Sequence, residues 1–197
     1  MFNPFANPEA SKAISPLESL AKKYEMLPDR ILNSPIESVH SDALVARDAS
    51  GLSKVEKSEI KKSKGWSEEL TNQIRSKDEA DIYSRTSVEE KSINGKECLV
   101  RTDINYSQKD EFGRTNLERM RLGLSPLDQN GNPYELHHIG QKNSSGLVEL
   151  TFEEHRGNPG NDLVLHDKTR ESEIDRSAFK TERQEHWKER ARIIDNM

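Results

Sequence analysis

Glu135-Leu136-His137-His138-Ile139-Gly140-Gln141 is the stretch on which the fold turns. It lies just beyond an Asn130-Gly131 turn signal, and its composition predicts a strand over Tyr134 to Ile139, with Gly146 to Leu150 as the antiparallel partner. Successive side chains of a strand point to opposite faces, so adjacent histidines meet different neighbours. That predicts a division of labour, with one ring on a metal and the other uncommitted, open to solvent, and facing a substrate and a water. Four of the six histidines, His137, His138, His155 and His166, fall in this one region. Neutral imidazole is the commonest ligand for a transition-type divalent ion, and histidine accepts protons near neutral pH.

Immediately downstream, Thr151-Phe152-Glu153-Glu154 reads as a helix start, which places His155 in the first turn before Gly157 interrupts it. The order is hairpin, then helix, an α+β arrangement able to enclose a cation from two sides. Such a site serves phosphodiester hydrolysis: the ion neutralises charge on the phosphate and leaving oxygen, and a histidine off the metal takes a proton from the attacking water. On this reading His137 and His155 are metal ligands, His166 is the candidate third, and His138 is the base. Glu135, Gln141 and Asn161 are candidates to orient a ring or complete the surroundings of the ligands, and the sequence does not choose among them.

Upstream, Thr115-Asn116-Leu117-Glu118 is a capping box for a helix closing near Gly123, with Leu117, Met120 and Leu124 facing inward. Asn94-Gly95 predicts a tight hairpin, followed by the alternating strand Cys98, Val100, Thr102, Ile104. From Trp66 to Glu90 the pattern is helical in short pieces, with Leu70, Ile74, Ala80 and Tyr83 as buried positions and Trp66 as a core anchor. The polar run from Asp48 to Lys64 reads as a linker or a solvated helix. Ser15-Pro16-Leu17-Glu18 and Ser34-Pro35-Ile36-Glu37 repeat one helix-start device. These features divide the chain into a helical N-terminal region and linker, 1–65, and a second domain, 66–197. Towards the C-terminus, Ile174, Ala178, Trp187, Ala191 and Ile194 form a helical apolar stripe. His40 and His186 are expected on solvated faces, as are Arg176, Arg183, Arg190 and Arg192.

Composition limits the alternatives. Only 31% of the 197 residues are hydrophobic and 33% are charged, so the core is thin. No apolar run reaches membrane-spanning length, and the start MFNPFANPEA lacks the basic and apolar regions of a conventional export signal. Cys98 is the single cysteine, which excludes an internal disulfide and fits a small core residue. The net charge is −5, with 10 basic and 9 acidic groups in residues 1–65 and the acid surplus beyond them, so nucleic-acid binding would need a local cationic patch. Arg114, Asn116, Arg119 and Arg121 are the expected patch, with ion pairs to Asp110, Glu111 and Glu118 weighing equally against it.

Over Lys109 to Ala191, the runs DEFGRTNLERM, ELHHIGQ, ELTFEEHRG, NDLVLH, ESEIDRSAF and WKERA together resemble the LHH-motif nuclease toxins of the HNH/endonuclease VII superfamily. The resemblance implies a ββα-metal fold and DNA cleavage dependent on one divalent ion, Mg²⁺, Mn²⁺, Zn²⁺ or Ni²⁺. It also implies a C-terminal toxin module, made in the cytoplasm, secreted through a carrier or secretion apparatus, active in the cytoplasm of a competing bacterium, and neutralised in the producer by an immunity protein. By motif, it gives His137 to the metal, His138 to general-base catalysis and His155 to the metal; His166 transfers less directly across the loop Gly157 to Asp162. The alternatives are an RNase with the same site and a structural metal-binding module. The absence of cysteine from the cluster counts against the second, and the absence of H-E-x-x-H against a metalloprotease.

Overall fold

Asn94 and Gly95 both adopt positive φ, 52° and 78°, so the backbone reverses in two residues and pairs β1 (Val88–Ile93) antiparallel with β2 (Lys96–Arg101). The computed structural model describes residues 51–169 and 172–197. The twin Ser-Pro helix starts and His40 lie outside those residues. The compact unit that carries the site is Arg47–Met197. Within it Leu52 is buried in the same apolar cluster as Trp66, with Ile60 packed against it.

Among the described residues, four helices precede the histidine strand: α1 (Lys54–Lys64), α2 (Glu68–Gln73), α3 (Lys77–Arg85) and, after the first hairpin, α4 (Asn116–Arg121). Ser53, Ser67, Ser76 and Thr115 each accept a hydrogen bond from a first-turn amide of these helices. Thr115 and Glu118 close the capping box in both directions. No residue of α1 is buried, which makes it the solvated helix.

β3 (Glu135–His138) pairs antiparallel with β4 (Leu147–Leu150), His137 opposite Val148 and His138 opposite Leu147. The sheet order is β1-β2-β4-β3, with β2 and β4 parallel. A π-turn, Glu153–Gly157, follows β4, then α5 (Pro159–Leu165) and α6 (Arg176–Asp195). The Asn130-Gly131 signal makes a small separate turn bridged by Leu127 and Pro133, while the link between β3 and β4 is a 3₁₀ turn, Ile139–Gln141, and the loop after it.

Alternation sorts the core onto two faces. Leu99, Val148 and Leu150 join Trp66, Leu70, Ile74, Ala80, Tyr83 and Leu165 on one side. Cys98, Val100, Leu136 and Leu147 join Met120, Trp187 and Ala191 on the other. Burial of each large side chain stabilises by roughly 1.5–3 kcal/mol, so both layers hold the sheet. Leu147 donates its amide to Cys98 Sγ at 3.2 Å, and burial pushes that thiol up to about 12, which makes it a core residue. Ala178, expected inside, is exposed, while the neighbouring Phe179 is the residue of that turn that packs on β3, against His138. No helix among the described residues is long and apolar enough to cross a membrane.

The short turn after β3 depends on two glycines. Gly140 has φ 65°, and a Cβ there would lie 2.3 Å from the Gln73 carbonyl oxygen. At Gly146 a Cβ would meet the Glu97 carbonyl oxygen at 1.8 Å, so only glycine lets the chain approach β2 just before β4 begins.

Candidate metal centre

The pleat separates the histidine doublet as the sequence implies. His137 points towards His155 of the π-turn and His166, the residue after α5, while His138 points towards Phe179 and Glu182 of α6. Nitrogens of His137, His155 and His166 lie within 4.8 Å of one another, close enough to share one ion. His155 Nε2 is 3.2 Å from both His137 Nδ1 and His166 Nε2.

Carboxylates fix which nitrogens face inward. Glu135 accepts from His155 Nδ1 at 2.7 Å and Asp162 from His166 Nδ1 at 2.9 Å. In the neutral rings both Nε2 atoms then carry lone pairs, and two lone pairs meeting at 3.2 Å repel unless a proton or a metal lies between them. Protonation is disfavoured because burial, reinforced by the neighbouring rings, holds His137 well below its ordinary range; burial also lowers His155, against the opposing pull of Glu135. A tetrahedral ion with metal–nitrogen bonds of about 2.0–2.1 Å separates its ligands by roughly 3.3 Å, which matches the two 3.2 Å spacings about His155. His137 Nε2 is, among the described residues, the buried side-chain polar atom without a hydrogen-bond partner. The donor set fits a divalent ion and leaves further coordination positions for water.

The surrounding chain holds these rings. Glu154 and Thr151 exchange hydrogen bonds at 2.8 and 3.1 Å, realising the predicted helix start, and Arg101 grips Glu154 at 2.6 Å, which anchors the π-turn under His155. A π-turn widens the helix by one residue and re-aims a side chain, a device frequent at functional sites. Glu135 also receives Arg156, and these partners hold its carboxyl below the ordinary range although burial alone would raise it. Gln141 Oε1 accepts from Arg75 at 2.5 Å and from the Asp167 amide at 2.8 Å, tying the turn after β3 to the residue after His166. Asn161 donates to the Glu154 carbonyl at 2.8 Å and touches no imidazole. Of the candidates for orienting a ring, Glu135 alone contacts one. Asp162 and Glu182 do so as well and were not foreseen.

His138 departs from the expectation of an open ring. It is 3% exposed, its Nε2 lies 2.8 Å from Glu182, and Phe179 packs over it at 4.4 Å between ring centres. The cause is α6, whose N-terminal half crosses the face of β3. Glu182 also takes a 2.7 Å ion pair from Lys96. Burial lowers the His138 pKa and Glu182 opposes the shift. Its Nδ1 has no hydrogen-bond partner among the described residues.

The expected phosphate patch is committed elsewhere. Arg114 and Arg119 both bind Asp110, at 2.8 and 2.7 Å, and drive that carboxyl far below the usual range against the effect of burial. Arg121 pairs with Asp195, and Asn116 is buried, bonding Asn105 and Leu127. Two side chains expected on a solvated face are inside: His186 and Arg190, each 2% exposed, both bind the fully buried Glu149 at 2.8 Å.

His155 and His166 open onto a cleft of about 680 Å³ that Arg156, Arg176, Lys180 and Arg183 also line. A second cleft of about 750 Å³ is lined by Asp103, Asp128, Glu153 and Glu154 beside Arg101 and contains no histidine, so it does not suit a polyanion.

Residues 115–193 match the LHH family model, described as a nuclease of the HNH/ENDO VII superfamily with conserved LHH. The matched span covers the histidines of the centre together with α6 as far as Ile193. The fold, helices around a small mixed four-stranded sheet, is consistent with a ββα-metal core. No solved structure matches the chain.

Proposed function

We propose, from the match of residues 115–193 to the LHH nuclease family of the HNH/ENDO VII superfamily, that this chain is a metal-dependent DNA endonuclease acting as a secreted antibacterial toxin. The observation that carries the reading is the convergence of His137, His155 and His166 with carboxylates behind two of the rings. Such nucleases use a divalent metal. Held by these imidazoles, it supplies charge neutralisation at the phosphate and the leaving oxygen. Zn²⁺ and Ni²⁺ suit nitrogen ligands by affinity, while Mg²⁺ and Mn²⁺ are the alternatives for catalysis.

The chain's own part is positioning and proton transfer. Glu135 and Asp162 turn His155 and His166 inward. Glu182, holding Nε2–H of His138, leaves Nδ1 as that ring's basic atom. Nδ1 takes a proton from water as the water oxygen bonds to phosphorus and the bond to the leaving oxygen breaks. Because Phe179 covers His138, this step needs the Phe179 side chain to swing aside when substrate arrives. That covering also favours a second reading, in which His166, already lining the cleft and backed by Asp162, is the base.

The toxin role rests on the resemblance of the LHH, helix and C-terminal motifs. It carries with it an immunity protein in the producing cell, synthesis in the cytoplasm, export through a carrier engaged by the N-terminal region, and action in the cytoplasm of the target bacterium. An RNase with the same centre is the alternative for the substrate.

Plasmid nicking by the purified chain with Mg²⁺, Mn²⁺, Zn²⁺ or Ni²⁺, beside His138→Ala and His166→Ala, tests the proposal. Cutting by wild type and its loss in His138→Ala support the first assignment. Cutting that survives in His138→Ala and is lost in His166→Ala, with metal retained, moves the base to His166. Absence of cutting with every metal overturns the enzyme reading, and cleavage of RNA in preference to DNA overturns the substrate.

A further inference from the structure

The N-terminal half of α6 breaks a local rule. A helix start favours acidic side chains, because the helix dipole places partial positive charge there, yet the first turn of α6 holds none and begins with Arg176. Asp175 caps the helix by accepting from the amides of Ser177 and Ala178. Lys180 and Arg183 follow at spacings of four and three, which puts the three cations along one side of the helix. All three are exposed and line the cleft onto which His155 and His166 open.

These cations also differ from the chain's other candidate phosphate contacts in having no carboxylate. Among the described residues, Arg176 and Lys180 have no hydrogen bond or ion pair, and the guanidinium of Arg183 lies only over the Phe179 ring, 4.9 Å from its centre. By contrast Arg114, Arg119, Arg121 and Arg156 are each held by Asp or Glu. Exposed cations at a helix start, without carboxylate partners in a chain of net charge −5, are expected where an anionic ligand supplies the partner.

We infer that Arg176, Lys180 and Arg183 form the track that binds the phosphodiester backbone of the substrate strand beside the metal centre. Resting on the nuclease reading, this assigns the recognition surface for its substrate. From residue 176 to residue 183 the helix rises about 10 Å. That equals the axial advance of about three phosphates of one strand at roughly 3.4 Å each. Arg183 lies over Phe179, which covers His138, so a phosphate drawn to Arg183 arrives where the cover must open. No base-specific contact is implied, because cations on phosphates set position and affinity and carry no sequence information.

The test is fluorescence anisotropy of a labelled DNA duplex, and of RNA of the same sequence, with the full chain in the presence of a chelator, so that binding is read without cleavage. Arg176→Ala/Lys180→Ala/Arg183→Ala is compared with wild type, with the lysine-preserving variant Arg176→Lys/Arg183→Lys, and with Arg192→Ala, whose guanidinium is paired with Glu189. The triple variant is expected to bind at least tenfold more weakly, and the slope of log affinity against log salt is expected to fall by about 2 to 3. The other two variants are expected to match wild type, and the tighter-bound nucleic acid identifies the source of the phosphates. Unchanged affinity and salt slope in the triple variant overturn the track. A wild type that binds in this manner but cuts with no metal overturns the nuclease reading and leaves the track standing.

Discussion

Replacing Glu149 by alanine tests how the sheet and α6 are joined. Glu149 sits fully buried on β4, where Oε1 accepts from His186 Nε2 and Arg190 Nε, each at 2.8 Å, and Oε2 accepts from the Arg101 amide at 2.7 Å. Truncation leaves a buried guanidinium, an imidazole and an amide without their acceptor. Breaking a buried pair by removing one partner costs about 3–5 kcal/mol. In a domain of this size each kcal/mol shifts Tm by about 2–4 °C, so Glu149→Ala is expected to melt roughly 6–20 °C below wild type. The carboxyl is held below its ordinary 4.5: burial alone would raise it, but His186 and Arg190 outweigh burial. A lowered folded-state pKa contributes stability above the unfolded value that disappears as pH falls through the folded one. The Tm gap between wild type and the neutral Glu149→Gln is therefore expected to be full at pH 7 and to narrow below about pH 4.5. Thermal melts followed by circular dichroism at both pH values read the two effects. A Glu149→Ala protein melting within about 2 °C of wild type would refute the reasoning.

Gly146→Ala forces a methyl to 1.8 Å from the Glu97 carbonyl oxygen, backbone against backbone, and is expected to destabilise by at least about 1–3 kcal/mol in urea unfolding. Glu182→Gln, which keeps the shape beside His138 but removes the charge, is expected to lower kcat about 10–100-fold with KM within about twofold. A parallel rise in KM, or loss of folded signal in the melt, would count against a positioning role. Rescue by Glu182→Asp supports it.

Much of the centre was legible because its signals are local. The doublet on a strand fixed opposite faces for His137 and His138, the Thr151–Glu154 pair announced the turn that carries His155, and Asn94-Gly95 specified the first hairpin. The buried positions Trp66, Leu70, Ile74, Ala80 and Tyr83 followed from period and size. What was missed depends on contacts between residues far apart in the chain. Glu182 reaches His138 across 44 positions and Glu149 reaches His186 across 37, and nothing in either neighbourhood distinguishes these glutamates from solvated ones. Asp162 is different: it stands four residues before His166, and that helical spacing was a readable sign of a carboxylate behind a ligand. For Arg114–Arg121 the sequence left a phosphate patch and ion pairs equally open; Asp110 collects two of the guanidiniums, an arrangement that requires the loop before α4 to fold back.

Metal stoichiometry of the full chain, by titration calorimetry with Zn²⁺ and with Mn²⁺, addresses the convergence of the imidazoles most directly. One ion per chain is predicted for wild type, with affinity falling more than about 100-fold in His155→Ala. His138→Ala is predicted to bind as wild type does. Binding that is unchanged in His155→Ala, or lost equally in His138→Ala, would contradict the account.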